Sequence, residues 1–587
     1  MLENLKKKII GSYPEMAISA FFLLSFIFFN IFVSSFFFIF KISIHKSFFM
    51  ISLIFSILST SIFFKKNDSK KILVAIALAI LIIVFSILLN GKIYDYTWDG
   101  NSYQKATTGM LAIGWNPLYE ELEKFDDNSE EQINIGDESP IYINNYAKAS
   151  NIFAANVYKF TGNIETGKAI NTITIAILFL LTFSFLLYKN KTLLFAFLFS
   201  ICVISYPVVC TQFLTNYIDI LVYAFLYLTI FSFFMFEEDK FVISKREILF
   251  MFFMILTLSI NIKFSLFGYV GIYCLAYYIW YICRLIKGKM DKIFFKNFTY
   301  TAIISVVVGV FIIGLSVYPK NLIDHGNPFY PLYGNESVDI MTQNSPKEFK
   351  DKTPIQKFLI SFFSKSSDLV ETSKESIRLK IPFTVSKDEL WSVGLPDVRL
   401  SGNGVWFSGI FLISLIIIVI SFKDLYNKNS IESILFLLPM IVTTIMIIFL
   451  QEAWWARYFP QLYLFVLFAL FLLNENSDNK CIKSFKYVFI IALLINNFLP
   501  FQNAIKRSYK NNVACNVEFQ KYESVEKPAD SNLVVYTKAF NGAKFNIIDR
   551  TKEENIIFIN QYPNDKTDIN TFFDGKVEWR YEYEEVR

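Results

Sequence analysis

Long apolar runs separated by short charged clusters dominate the chain. The runs fall at 16–40, 47–64, 72–89, 167–188, 193–207, 217–236, 248–262, 265–282, 301–317, 407–422, 434–450, 459–473 and 487–499. Near-continuous apolarity over about twenty residues marks a helix that crosses a bilayer. The pattern therefore predicts an all-α polytopic membrane protein with about thirteen transmembrane helices. Several runs are shorter than that length, a mismatch that tilt or a displaced boundary absorbs. The first run is too long for the core of a signal peptide, about 7 to 15 residues, and lacks a small-residue cleavage pattern, so it is expected to remain as a helix.

Basic residues gather in every second connection. They are Lys6, Lys7 and Lys8, then Lys65, Lys66, Lys70 and Lys71, then Lys189 and Lys191, then Lys245 and Arg246. Arg284, Lys287, Lys289, Lys292 and Lys296 follow, then Lys423 and Lys428, and finally Lys480, Lys483 and Lys486. The positive-inside rule places these connections and the N-terminus in the cytoplasm, and an odd number of spans leaves the C-terminus outside. The predicted organisation is transmembrane helices over 1–90, a first outer loop over 91–166, helices over 167–317, a second large outer loop over 318–406, helices over 407–499 and an outer tail over 500–587. The tail is polar and alternates at 533–536 and 556–559, as short strands do in a small α+β domain.

Composition supports this reading: of 587 residues 54% are hydrophobic, 66 are Phe and only 18% are charged, against about 25% in soluble proteins. The net charge of +5 is scattered through the connections and forms no stripe, so no nucleic-acid partner is expected. His45 and His325 are the only histidines, which excludes a multi-histidine metal site or haem. The six cysteines show no CxxC spacing, so a metal cluster is not expected; a disulfide between Cys210 and Cys515, both on the outer side, stays open. No Walker-type loop or dinucleotide fingerprint appears, so ATP or NAD use is not expected. Richness in Phe, Ile, Lys and Asn suggests an AT-rich bacterial genome, and hence a bacterial plasma membrane.

The candidate chemistry lies at the outer ends of the runs. Tyr94-Asp95-Tyr96-Thr97-Trp98-Asp99-Gly100-Asn101-Ser102-Tyr103 sets two carboxylates among four aromatics at the membrane boundary. It reads either as a solvated loop start with an interfacial aromatic belt or as a catalytic carboxylate beside a glycine that lets substrate approach. Asp219 lies about one turn into the run at 217–236, where burial costs about 2.5 to 3.5 kcal/mol at full depth, so it is expected to face a cavity, a partner or the helix N-terminus. Lys263 interrupts two apolar runs and Arg457 precedes another; each either snorkels to lipid phosphates or holds a phosphate leaving group. His325 sits in the turn-rich start of the second loop, as a solvated or a catalytic histidine. Thr353-Pro354 caps an expected helix whose Ile355, Phe358, Leu359, Phe362 and Phe363 share a face, suited to lying in the interface beside a lipid tail or to ordinary packing. Asp397 and Arg399 close the loop, as a structural pair or with Arg399 gripping phosphate.

This arrangement resembles the GT-C superfamily of membrane glycosyltransferases, specifically bacterial relatives of the protein O-mannosyltransferase and lipid A aminoarabinose transferase group. The resemblance rests on Trp98-Asp99-Gly100 in the first outer loop, an acid at the next outer helix start, and helical segments within the later loop. It implies transfer of a sugar from a polyprenyl-phosphate donor to a glycan, lipid or protein acceptor at the outer face, with inversion at the anomeric carbon. By that resemblance Asp99, Asp219 and Asp95 are the acidic candidates, Lys263, Arg399, Arg457 and His325 face the donor phosphate, and Trp98, Gly100 and Tyr103 form the substrate loop. No cofactor is required and a divalent metal is optional. The chain departs from the family pattern in placing three runs, not one, before the first large loop and in separating Asp95 from Asp99. An O-antigen polymerase or ligase, which would rely on outer-loop arginines such as Arg378 and Arg399, and a lipid-linked glycan flippase, which would show internal repeats and midplane charges, are the competing readings.

Overall fold

A computed structural model describes residues 2–128, 133–135, 140–334, 337–427, 431–475, 480–553, 555–561, 563 and 569–583. Lys428, one member of the basic pattern, lies outside the described residues. The fold is mostly helical with a small C-terminal sheet.

Each apolar run falls on a helix, but the helices differ in reach. Seven are long and apolar enough to cross a membrane: Tyr13–Phe38, Ser69–Asn90, Ile164–Tyr188, Asp219–Phe236, Phe264–Ile286, Lys292–Ile313 and Ser484–Ser524. Ser47–Phe63, Leu193–Ile204, Phe407–Ser421, Ser433–Phe449 and Leu462–Leu473 are shorter apolar helices. The run at 248–262 lies on Lys245–Ile262, whose first three residues are all charged. Asp219–Phe236 is almost wholly buried at the centre, whereas Ser69–Asn90 and Lys292–Ile313 leave most of their apolar surface uncovered. Leu73, Leu81, Phe85 and Leu88 are among the exposed side chains. A water-soluble fold would bury such stripes; lipid is the solvent they suit.

One loop expectation holds in detail. Thr353 caps the helix Pro354–Phe362 through a capping box with Gln356. Its Phe358 and Phe362 are buried, Phe362 against Phe407 and Phe411, and the Ser361 hydroxyl donates to Trp454 O at 2.7 Å. Phe358 and Phe362 therefore pack on the helices while Ile355 and Leu359 stay exposed, and the helix does not line the large cavity described below. Cys210 and Cys515 are both free, buried thiols, so no disulfide joins them.

The tail differs from expectation at its start. The last apolar run does not end at Pro500: a single helix, Lys480–Ser524, runs through it for 45 residues. A proline inside a helix removes one hydrogen bond and bends the rod without having to end it. The far end of this helix packs Phe519 and Tyr522 on Phe572 and Trp579 of the sheet. The sheet has the order β2-β1-β4-β3, with β1 Ser531–Tyr536, β2 Ile556–Ile559, β3 Asn570–Phe572 and β4 Val577–Tyr583. Strands β1 and β2 are parallel (Leu533 opposite Ile556) and joined through the helix Ala543–Thr551, while β4 runs antiparallel to β1 (Val535 opposite Trp579).

That helix fixes the C-terminal unit to the first loop. The Phe545 ring fills the space where Gly109 has no side chain, and Gly542 N–H donates to Asn101 O at 2.6 Å. Behind them Glu165 joins Lys105 at 2.9 Å and Lys168 at 2.6 Å, and accepts from Asn546 Nδ2 at 2.9 Å. All three charged side chains are essentially inaccessible. A buried triad of this kind holds position only while every partner is present.

Candidate functional site

At the end of the bundle where the two long loops meet the C-terminal unit, a cavity of about 1550 Å³ opens. Its position follows from how each loop is wound. The Asp95 carboxylate accepts from Thr97 N–H at 2.9 Å and Thr97 Oγ1 at 2.6 Å, while Asn101 Nδ2 donates to Asp95 O and Thr97 O. This tight turn feeds the π-helical turn Gly100–Gln104 and aims Asp99 into the cavity. Local widening of this sort is common where a helix carries function.

Asp219 is the first residue of Asp219–Phe236 and is 1% exposed. It therefore sits at the helix N-terminus, which favours its negative charge. Lys263 is a single extended residue between two helices, Lys245–Ile262 and Phe264–Ile286, and its Nζ meets Asp219 Oδ1 at 2.6 Å. Its ammonium also lies 4.1 Å from the centre of the Tyr458 ring.

Arg457 holds the group together. Its Nη2 pairs with Asp99 Oδ2 at 2.8 Å, its Nε with Asp219 Oδ2 at 3.0 Å and its Nη1 with Asp397 Oδ1 at 3.0 Å. The rings of Tyr217, Trp455 and Tyr458 surround the guanidinium at 4.9, 5.3 and 5.3 Å. Arg399 closes the far side, 3.4 Å from Asp397 Oδ2 and donating from Nη2 to Asn344 Oδ1 at 2.8 Å. Among the described residues its Nε, like that of Arg457, is a buried donor with no hydrogen-bond partner. Three carboxylates thus face three cations, and the cluster as a whole is neutral.

Burial pushes the Asp99 carboxyl above the usual carboxylate range, against the pull of Arg457, and Asp397 and Asp219 add to the rise. Burial works against the Arg457 charge as well, but the three carboxylates outweigh it and keep the guanidinium protonated. Lys148, on the cavity wall, donates to the carbonyls of Asn144 and Tyr146, at 2.7 and 2.9 Å, and burial pushes it down to about 7.

The candidates from the sequence separate cleanly. Asp99, Asp219, Lys263, Arg399 and Arg457 converge, and Trp98 and Tyr103 line the same cavity. Asp95 does not line it: besides Thr97, its carboxylate accepts from Asn216 N–H at 2.7 Å and Asn216 Nδ2 at 2.8 Å, which makes it part of the scaffold beneath the site. Gly100 serves that scaffold too, since a Cβ there would lie 2.1 Å from Asp95 Oδ2, so its lack of a side chain makes room for Asp95 and not for substrate. His325 stacks on Tyr330 at 3.7 Å and stands outside the cavity.

No protein-family model matches the chain, and no curated protein is significantly similar to it. The reading of the site therefore rests on its geometry.

Sequence reasoning placed Asp397 beside Arg399 but missed that it also meets Arg457. It also missed Tyr217, Tyr458 and Gln212, whose Nε2 lies 3.2 Å from Asp219 Oδ2 and donates to Pro396 O at 3.0 Å. The aromatics flanking Arg457 in Trp454-Trp455-Ala456-Arg457-Tyr458 were the available signal for a caged guanidinium. Among the described residues, no group of three His, Cys, Asp or Glu side chains is arranged to hold a metal ion.

Proposed function

We propose that the chain is a membrane glycosyltransferase of GT-C type, moving a sugar from a polyprenyl-phosphate donor to a glycan, lipid or protein acceptor on the outer face of a bacterial plasma membrane. In this reading the thirteen helical runs all span, the N-terminus is cytoplasmic, and the cavity with the C-terminal unit faces outward. The observation that carries it is the convergence of Asp99 with Lys263, Arg399 and Arg457 in one large cavity at the end of the bundle.

The chemistry needs a base and a stabilised leaving group. Asp99, with its raised pKa, takes the proton of the acceptor hydroxyl as that oxygen attacks the anomeric carbon, and general-base catalysis of this kind contributes about 10²- to 10⁴-fold. The bond from the anomeric carbon to the phosphate oxygen breaks, and its electron pair leaves with the polyprenyl phosphate. Lys263, with one carboxylate partner, and Arg399, with an unused Nε donor, are placed to take the developing charge. Arg457 is ion-paired with three carboxylates and acts as the positioning residue for Asp99 and Asp219. A divalent metal is optional in this scheme.

The test is transfer from radiolabelled polyprenyl-phosphate sugars to envelope acceptors by membranes carrying the chain, against Asp99→Asn and Asp219→Asn at matched protein levels. Loss of transfer in Asp99→Asn supports the assignment. Unchanged transfer removes Asp99 as the base, and no transfer with any donor moves weight to a polymerase, ligase or flippase.

A further inference from the structure

The cavity carries its surplus positive charge away from the Arg457 cluster. Arg507 from the long last helix and Lys576 from the C-terminal unit line the same cavity as Trp98. Among the described residues no carboxylate lies within 4.0 Å of the Arg507 or Lys576 side-chain nitrogens. Each is held by a ring and a carbonyl. Lys576 lies 4.9 Å over the Phe540 ring and donates to Tyr96 O at 3.1 Å, and Arg507 lies 4.6 Å over Trp391 and donates to its carbonyl at 2.5 Å. An ammonium and a guanidinium fixed in this way keep further N–H donors for a ligand.

Trp98 is 60% exposed within this wall, and it packs edge-on against the same Phe540 ring, 5.9 Å away. One ring therefore fixes both a flat apolar platform and a cation. The apolar face of a sugar suits the exposed indole, and an acidic substituent on that sugar suits Lys576 and Arg507. Asp99 and Asp397 also line the cavity, but their charge is taken up by Arg457 and Arg399, whereas Arg507 and Lys576 have no such carboxylate partners.

We infer that this wall is a second subsite that binds an acidic sugar of the acceptor, a uronic acid or a phosphate-bearing residue, and so directs the neutral hydroxyl toward Asp99. The assignment to the acceptor rests on the transferase reading above; the binding of an acidic saccharide does not. It also gives the C-terminal unit a role as the wall that selects the acceptor.

The test uses the full-length protein in nanodiscs and reads binding without turnover, so its failure is separable from failure of the transferase reading. The probes are fluorescent trigalacturonate, its carboxyl-reduced trigalactose analogue and a polyprenyl phosphate. Trigalacturonate is expected to bind at least ~10-fold tighter than trigalactose, in line with the strength of charge-assisted hydrogen bonds. R507Q/K576Q is expected to abolish that difference while leaving trigalactose and polyprenyl phosphate binding unchanged, and W98A to weaken both saccharides. K576Q alone, at an exposed position, is expected to reduce the difference partway and serves if the double variant misfolds. Equal binding of the two saccharides to the unaltered protein, or a difference that survives R507Q/K576Q, overturns the subsite. Loss of polyprenyl phosphate binding in its place assigns the wall to the donor and overturns the acceptor assignment.

Discussion

Arg457 Nη2 stands 2.8 Å from Asp99 Oδ2 although 358 residues separate the two in sequence. The contact joins the first loop to the segment before one of the last apolar helices, and it opposes the effect of burial on the carboxylate at the centre of the proposed chemistry. Without Arg457, burial alone would favour a neutral Asp99.

Transfer should fall on the acid side through a pKa higher than that of an ordinary carboxylate. Asp99 must be deprotonated to act as base, and burial raises its pKa, so activity is expected to fade as pH drops through that raised value. The check is kcat/KM against pH, with Asp99→Glu moving the acid limb and Asp99→Asn lowering the rate about 10²- to 10⁴-fold. An acid limb at the usual carboxylate value would speak against Asp99.

Arg457→Gln is expected to damage stability more than any other change in the cluster. It leaves Asp99, Asp219 and Asp397 close together without their shared cation, and breaking a buried ion pair costs about 3–5 kcal/mol. Asp219 keeps Lys263 and Asp397 keeps Arg399, but Asp99 loses its cation, so burial raises its folded-state pKa further and the folded variant binds more protons there than the unfolded chain. Its stability should therefore rise as pH falls, which thermal melts between neutral and mildly acid pH would reveal.

Asp95→Asn and Gly100→Ala should lower stability and activity together, unlike Asp99→Asn. An amide at position 95 turns N–H groups toward the donors of Thr97 or Asn216, and a Cβ at position 100 meets Asp95 Oδ2. Overpacking of this sort costs about 1–3 kcal/mol. Melting curves beside transfer rates separate this scaffold effect from loss of the base.

Glu165→Gln should loosen the C-terminal unit. Lys105 and Lys168 would keep their charges in a site closed to water with no carboxylate between them, a loss of about 3–5 kcal/mol. Limited proteolysis should then cut between the long last helix and β1 at protease levels that leave the unaltered protein whole. Unchanged resistance would show that Phe545 and Gly542 suffice to dock the unit.

The sequence revealed the helices because lipid imposes one rule on every residue of a run, so Asp219, Lys263 and Arg457 stood out as exceptions to it. It did not reveal which exceptions meet. Asp95 and Asp99 look alike along the chain, and only the turn made by Thr97 and Asn101 sends one into the scaffold and the other into the cavity. Pro500 looked like a helix end because a proline breaks the pattern locally, yet the rod continues on the strength of the aromatic packing at its far end. The basic wall was invisible because Arg507 and Lys576 lie in a polar tail, where single cations are unremarkable.

The continuous Lys480–Ser524 helix ties the wall that carries Arg507 to the apolar bundle. At about 1.5 Å per residue it is a rod roughly 67 Å long. Its first half sits among the apolar helices and its second half carries Arg507 and the seat of the sheet. If the first half spans the bilayer as proposed, a change in its tilt would carry the second half with it and shift Arg507 relative to Asp99.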